Sequence, residues 1–291
     1  MKIAILDRAT LGNDVDVSIF EQFGELIVYD MTSEEQTQDR VKDVDIVLTN
    51  KVVINSSHMD DSSMKLICIT ATGMNNVDLQ YAKQKNIAVK NVAGYSSSSV
   101  AQVAFSMIFH FVTKLDYYKS YVDNGNWQKS PIFTHIDKPF YELDNKRVGV
   151  IGLGDIGRNF AKKAKAFDCE VVYYSTSGKN SNSEYKRVEL DELLSTSDII
   201  SIHCPLNENT QDLLNYENMS KMKDKAILLN LGRGGIINEN DLAKILDEKE
   251  VYAGIDVVSK EPILEDNPLL KVQNKQRLLL TPHIGWASIE A

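Results

Sequence analysis

Short, nearly continuous apolar runs recur along the chain, separated by amphipathic stretches. The first five runs are Lys2 to Leu6, Leu26 to Tyr29, Asp45 to Thr49, Leu66 to Thr70 and Ile87 to Val92. Helical patterns fill the gaps. One opens at Ser33, with Gln36 three residues later in capping-box spacing, and another covers Val77 to Lys85. Strands that are apolar throughout, alternating with helices, predict a parallel sheet covered on both faces.

A long helical pattern then runs from Ser97 to Tyr121. The segment 124–145, rich in aromatics, Pro and charge, reads as a loop or arm. The alternation restarts at Lys146. Strands are predicted at Arg147 to Gly152, Glu170 to Tyr174, Asp198 to His203, Ala226 to Leu231, Val251 to Val257 and Leu278 to Thr281. The pattern is that of two α/β units in tandem, joined near residue 97, each a doubly wound parallel sheet.

Composition narrows the function. A chain of 291 residues, 43% hydrophobic and 25% charged, suits two globular domains. The net charge of -9 argues against nucleic acid as a partner, because phosphate-backbone binding rests on clustered Lys and Arg. No apolar run reaches the roughly 18 residues a membrane helix needs, so no membrane partner is expected. The apolar part of Met1 to Asp7 is too short for a signal peptide and reads as a first strand. Cys68, Cys169 and Cys204 are odd in number and widely spaced. They suggest neither a disulfide framework nor a metal site, and they suit a reducing cytoplasm.

Val148 to Gly157 reads as a strand running into Gly152-x-Gly154-x-x-Gly157, with a helical pattern from Asn159 to Phe167 directly after it. Gly152 permits a tight turn and Gly154 lets backbone approach a pyrophosphate. Gly157 lets helix and strand pack closely, and Asp155 and Ile156 sit where a helix N-terminus offers N–H groups to phosphate. With a second strand following, the context is that of a dinucleotide-binding (Rossmann) unit. The adenosine ribose should meet the end of that second strand, which reads Tyr174-Ser175-Thr176-Ser177-Gly178-Lys179. A carboxylate there would hold both ribose hydroxyls and repel a 2′-phosphate. None is present, and neither is an Arg directly after the serine. NAD is the favoured cofactor, with NADP also admitted.

Three further patches end strands of the second unit: Asn230 to Gly235, Asp256 to Pro262 and Thr281 to Trp286. Each alone has a bland reading as a turn or solvated loop. Together they put Arg233, Glu261 and His283 at the carboxyl edge of a dinucleotide fold, where such sheets bind ligands.

With the glycine motif, this order resembles the D-isomer-specific 2-hydroxyacid dehydrogenases over essentially the whole chain. Ala71-Thr72-Gly73 with Val77-Asp78, Ser99-Val100-Ala101-Gln102, and His203-Cys204-Pro205-Leu206 with Thr210 belong to the same likeness. The resemblance implies two Rossmann-like domains. The substrate domain would span residues 1–96, with 287–291 returning to it, and the inserted NAD(P)-binding domain 97–286. It implies that Arg233 binds the substrate carboxylate and carbonyl, that His283 is the acid/base, and that Glu261 orients and charges the histidine. Asp256 would face the nicotinamide amide. Val100, His203, Pro205, Thr210 and Leu231 would line the cofactor site with Gly152, Gly154, Asp155, Ile156, Gly157, Ser175 and Thr176. Backbone N–H groups of Thr72-Gly73 would form a second carboxylate clamp, and Lys51, just after the third strand, is a further substrate candidate.

Gly94-Tyr95-Ser96 and the Ser99 segment look most like glycerate dehydrogenases, that is, hydroxypyruvate reductases. Relatives often carry Glu where this chain has Gln102, and they continue past the His motif into a helix, whereas this chain ends at Ala291. The implied reaction is hydride transfer between NAD(P)H and C2 of a small 2-oxo acid. Hydroxypyruvate/D-glycerate and glyoxylate/glycolate lead the substrates, ahead of D-lactate and phosphoglycerate. A nucleotide-sensing corepressor is the rival of a different class. Relatives form two-fold dimers, and the apolar 97–121 helix with Trp127, Phe133 and Phe140 suits an interface.

Overall fold

The computed structural model describes residues 1–179 and 182–291. The chain divides into two compact units, Met1–Tyr95 and Ser96–Ala291, so that residues 287–291 group with the second.

In the first unit five parallel strands, β1 (Lys2–Ile5), β2 (Glu25–Val28), β3 (Ile46–Thr49), β4 (Leu66–Ile69) and β5 (Ala88–Asn91), lie in the order β2-β1-β3-β4-β5. Helices α1 (Glu34–Val41), α2 (Ser56–Asp60) and α3 (Leu79–Gln84) join them. Ser33 and Gln36 form the expected capping box on α1. Val77, expected in a helix, instead bridges to Ile54, and α3 starts after the cap Asp78. Side chains alternate across β1. Ile3 and Ile5 join one apolar cluster while Ala4 and Leu6 join the other, so both faces of the sheet are covered.

The second unit carries α4 (Ser97–Thr113), α5 (Leu115–Asp123), β6 (Arg147–Ile151), α6 (Asp155–Ala166), β7 (Glu170–Tyr174), β8 (Lys186–Arg187) and α7 (Leu190–Thr196). It continues through β9 (Ile199–Ile202), α8 (Tyr216–Met219), β10 (Ile227–Asn230), α9 (Glu239–Glu248), β11 (Tyr252–Ile255) and β12 (Leu278–Leu280). The sheet is parallel throughout, in the order β12-β11-β10-β9-β6-β7-β8. The winding reverses between β6 and β9, and such reversals open a crevice at the carboxyl ends of the strands.

Two expectations change here. The continuous helix predicted from Ser97 breaks at Lys114, whose φ of 53° is left-handed, and α5 sets off separately. The helix of the glycine motif begins at Asp155 rather than Asn159, so the motif's last residues are its first turn. Phe105 of α4 packs on Phe160 of α6 with ring centroids 5.1 Å apart, which fixes the glycine-motif helix from its outer face.

Segment 124–145 holds one short turn of 3₁₀ helix, Trp127–Lys129. It is tied back by side chains. The His135 ring stacks on Tyr121 at 3.7 Å, and Trp127 Nε1 donates to the Phe133 carbonyl at 3.0 Å. Phe133 is nonetheless 89% exposed and Ile136 71%. Among the described residues, no helix is long and apolar enough to cross a membrane.

Candidate active site

The carboxyl ends of β6, β7 and β9 build a nucleotide cradle. Gly152 has a φ of 90°, and a Cβ there would come within 2.7 Å of the Cys204 backbone, so the loops after β6 and β9 touch across the switch point. A Cβ on Gly157 would collide with the Gly152 carbonyl, so only glycine lets α6 start there. At Gly154 a Cβ would meet nothing within 4 Å, which leaves open space at the amino end of α6. Asp155, at the first turn, pairs with Arg158 at 2.5 Å. After β7, Ser175 is 4% exposed and its Oγ is buried without a protein partner. An open N-terminal cradle and an unmet hydroxyl where the sequence predicts the ribose fit a dinucleotide that brings its own oxygens.

A residue absent from the sequence reading reaches this edge. Arg187 of β8 donates from Nη1 to the Gly178 carbonyl at 2.9 Å, so a guanidinium lies on the loop after Ser175. A two-residue edge strand of charged side chains carries no apolar signal, and nothing in the sequence connects it to position 178.

Two expected cofactor residues act differently at their side chains. Thr210 is fully buried, and its hydroxyl donates to the Pro205 carbonyl at 2.7 Å and accepts from the Asn207 N–H at 2.8 Å. Its side chain shapes the Pro205 loop from within. His203 turns its ring inward. It packs on Phe160 at 5.1 Å and shares a 2.9 Å hydrogen bond with Ser201. Burial pushes its pKa down to about 3, so the ring is neutral at physiological pH. The neighbouring Cys204 thiol is pushed up to about 12 by burial and Cys169 to about 11, so neither offers a thiolate nucleophile.

Three loops of the second unit then converge. After β11, Asp256 is 3% exposed, and its carboxylate accepts from the Thr281 hydroxyl at 2.5 Å and from the Ile284 and Gly285 N–H groups at 2.8 Å each. This buried anion therefore anchors the segment that carries His283. A Cβ on Gly285 would lie 2.9 Å from Asp256, 3.6 Å from Leu231 and 3.7 Å from Val100, so those three cofactor candidates surround one point. His283 itself is left-handed, with a φ of 55°, and its N–H donates to the Asp256 carbonyl at 2.9 Å.

His283 Nδ1 and Glu261 Oε2 are 2.7 Å apart. An ionised carboxylate only accepts, so Nδ1 carries the shared proton and Nε2 is left for chemistry. Glu261 Oε1 accepts from the Val258 N–H at 3.2 Å, which aims the carboxylate. After β10, the side chain of the buried Asn230 closes the next loop, accepting from the Gly232 N–H at 3.1 Å and donating to the Arg233 carbonyl at 2.9 Å. Arg233 Nη1 donates to the Gly232 carbonyl at 2.8 Å. A Cβ on Gly234 would collide with the Val258 carbonyl, so the arginine and glutamate loops are pressed together.

Lys51, Thr72 and Gly73 belong to the first unit. There the ends of the adjacent strands β3 and β4 carry the two loops. The buried Asp7 carboxylate accepts the Lys51 N–H at 2.7 Å and the Asn50 N–H at 2.9 Å, fixing the lysine loop. Asn91 Nδ2 donates to the Thr72 carbonyl at 2.6 Å, and Thr72 Oγ1 to the Val92 carbonyl at 3.1 Å.

Residues 105–285 match the family described as D-isomer specific 2-hydroxyacid dehydrogenase, NAD binding domain. The whole chain aligns with a hydroxypyruvate reductase of Blautia hydrogenotrophica at 41% identity over 301 residues, covering 92% of that protein. The chain belongs to the D-isomer-specific 2-hydroxyacid dehydrogenase family. A glycerate dehydrogenase of Methylorubrum extorquens is 32% identical, with all of this chain and 91% of that one aligned. Among solved structures, an acyclic imino acid reductase in complex with NADPH and D-Arg superposes with a TM-score of 0.88 at 29% identity. That match covers 100% of this chain and 92% of the other. As a member of this dehydrogenase family the protein is an oxidoreductase, with two Rossmann-like units and the family's NAD-binding domain in the second.

Proposed function

We propose that the protein reduces a small 2-oxo acid to the D-2-hydroxy acid, with hydroxypyruvate and glyoxylate as the leading substrates. The 2.7 Å His283–Glu261 pair, on a loop anchored beside the arginine loop, carries this reading. The names of the similar reductases and dehydrogenases support the substrate class. When bound, the reduced nicotinamide supplies the hydride that reaches C2. Arg233 grips the substrate carboxylate and meets the negative charge growing on the carbonyl oxygen. His283 delivers a proton to that oxygen from Nε2, and Glu261 holds the ring in place. The balance is 2-oxo acid plus NAD(P)H and a proton, giving 2-hydroxy acid plus NAD(P)⁺. In oxidation the neutral ring takes the proton back.

Initial rates with hydroxypyruvate, glyoxylate, pyruvate and 3-phosphohydroxypyruvate, each with NADH and NADPH, test the reading. NADH binding without turnover of any of the four would favour a nucleotide-sensing binding protein instead. Lys51, Thr72 and Gly73 are the first unit's proposed contribution to holding the carboxylate. Lys51→Ala should raise KM for hydroxypyruvate about tenfold, the scale of one lost charged hydrogen bond. An unchanged KM removes the lysine.

For the cofactor, NAD is proposed as the principal nucleotide. No carboxylate at Ser175 repels a 2′-phosphate, Lys179 lies on the loop after Ser175 and Arg187 of β8 reaches that loop, so NADP is accepted as well. Ser175→Asp should widen the NADH/NADPH ratio of kcat/KM at least tenfold by adding ribose hydrogen bonds and repelling phosphate. A constant ratio would mean that the ribose lies elsewhere.

The assembly proposed is a homodimer through the second unit, in the cytoplasm, where the three free cysteines would stay reduced. Support comes from the apolar side chains that arm 124–145 leaves in solvent, Phe133, Ile136 and Phe140 among them. Light scattering at micromolar concentration should give twice the 32.7 kDa chain mass. A single-chain mass would sink the dimer.

A further inference from the structure

We propose that Glu239 is a positioning residue for the reaction, acting through the loop that carries Glu261. It rests on the reading of Glu261 as the partner of His283. Glu239 is the first residue of α9 and follows the Arg233 loop by only a few positions. Its two carboxylate oxygens engage separate points of the segment after β11. Oε1 accepts from the Ser259 N–H at 2.6 Å, and Oε2 accepts from the Asn267 side-chain amide at 2.7 Å. Asn267 is 7% exposed and is itself fixed, since its Oδ1 accepts from the Leu269 N–H at 2.9 Å and its N–H donates to the Leu264 carbonyl at 3.0 Å.

The two grips bracket Glu261 in the sequence, at Ser259 on one side and Asn267 on the other. Next to Ser259, the Val258 N–H donates to Glu261 Oε1 at 3.2 Å. That same residue is pressed against Gly234, beside Arg233. One carboxylate therefore ties α9 to both ends of the glutamate loop, while Gly234 ties the arginine loop to its start. Charge-assisted bonds from an ionised acceptor are the strong kind, and a misplacement of about 1 Å can cost about a hundredfold in rate. A loop this exposed at Ser259, Lys260 and Glu261 has few packing contacts to hold it otherwise.

The test is a double-mutant cycle in the 291-residue enzyme, with hydroxypyruvate and NADH as substrates. Glu239→Ala should lower kcat about tenfold while the dissociation constant for NADH moves less than twofold. In a Glu261→Gln background the same change should cost less than threefold, because the loop then holds no carboxylate for His283. A full tenfold loss in that background, or none in the wild type, overturns the proposal. If Glu261→Gln alone leaves kcat intact, the reading of Glu261 has failed instead, which the cycle separates. Should Glu239→Ala not fold, a second pair serves. Glu239→Gln places an amide NH₂ against the Asn267 NH₂ and should lose activity. Adding Asn267→Asp restores a donor facing an acceptor and should recover at least half of the lost kcat. No recovery would count against the clamp.

Discussion

Arg233→Lys is expected to lower kcat/KM for oxo-acid reduction by about 10²- to 10³-fold. The change keeps a positive charge, so a purely Coulombic role would survive it. What disappears is the planar fork, which can hold a carboxylate with two parallel N–H groups while another N–H meets the carbonyl oxygen. An ammonium offers one point charge on a flexible stem. Losing a single donor to a developing oxyanion costs about 2.7–4 kcal/mol. The arginine loop is well fixed for such a task. Asn230 is buried at the end of β10 and closes the loop around the Arg233 carbonyl and the Gly232 N–H. The lysine variant therefore inherits an intact backbone, and its loss reads on the side chain. A decrease below about tenfold, equivalent to about 1.4 kcal/mol, would take Arg233 out of the site.

The strands inside the two sheets were legible because they are buried on both faces, which writes an unbroken apolar run, and the half-exposed edge strands β2, β5 and β12 still keep apolar residues on their inner face. Thus β7 matches its predicted span residue for residue, and the other long strands differ by one or two residues at their ends. The two-residue strand β8 is exposed and charged, so it left no such mark. The break at Lys114 was hidden for a different reason. The apolar periodicity runs straight across it, and a left-handed lysine has no composition signature, unlike the glycine usual at such positions. The Arg233, Glu261 and His283 patches stood out because each follows a strand end in a fold whose strand ends bind ligands, and the structure brings their loops together. Their supports did not stand out. Asp256 reaches Gly285 across 29 residues, Glu239 reaches Asn267 across 28, and Arg187 reaches Gly178 from a strand with no apolar run. Thr210 was identified by likeness alone, and its hydrogen bonds within the Pro205 loop carry no sequence signal.

His283→Asn should reduce kcat for oxo-acid reduction by about 10²- to 10⁴-fold, the usual worth of a positioned general acid. Asparagine is the informative replacement because of the backbone. His283 sits at a φ of 55°, in the left-handed region where most side chains are strained and asparagine is tolerated. The His283 N–H to Asp256 carbonyl bond, at 2.9 Å, and the Ile284 and Gly285 bonds to the Asp256 carboxylate should all persist. The asparagine amide can still donate to Glu261, so that carboxylate is not left without a partner. Only the transferable proton is lost. NADH binding, followed by the change in its fluorescence on titration, should therefore stay within about twofold of the wild type. His283→Ala inherits the same left-handed backbone but removes both the ring and the hydrogen bond to Glu261 that asparagine can still make. That variant should lose thermal stability as well as activity, whereas His283→Asn should lose activity alone. If His283→Asn retains more than a tenth of wild-type kcat, protonation of the carbonyl oxygen comes from another group. The 2.7 Å pair with Glu261 would then be a structural contact holding two loops together.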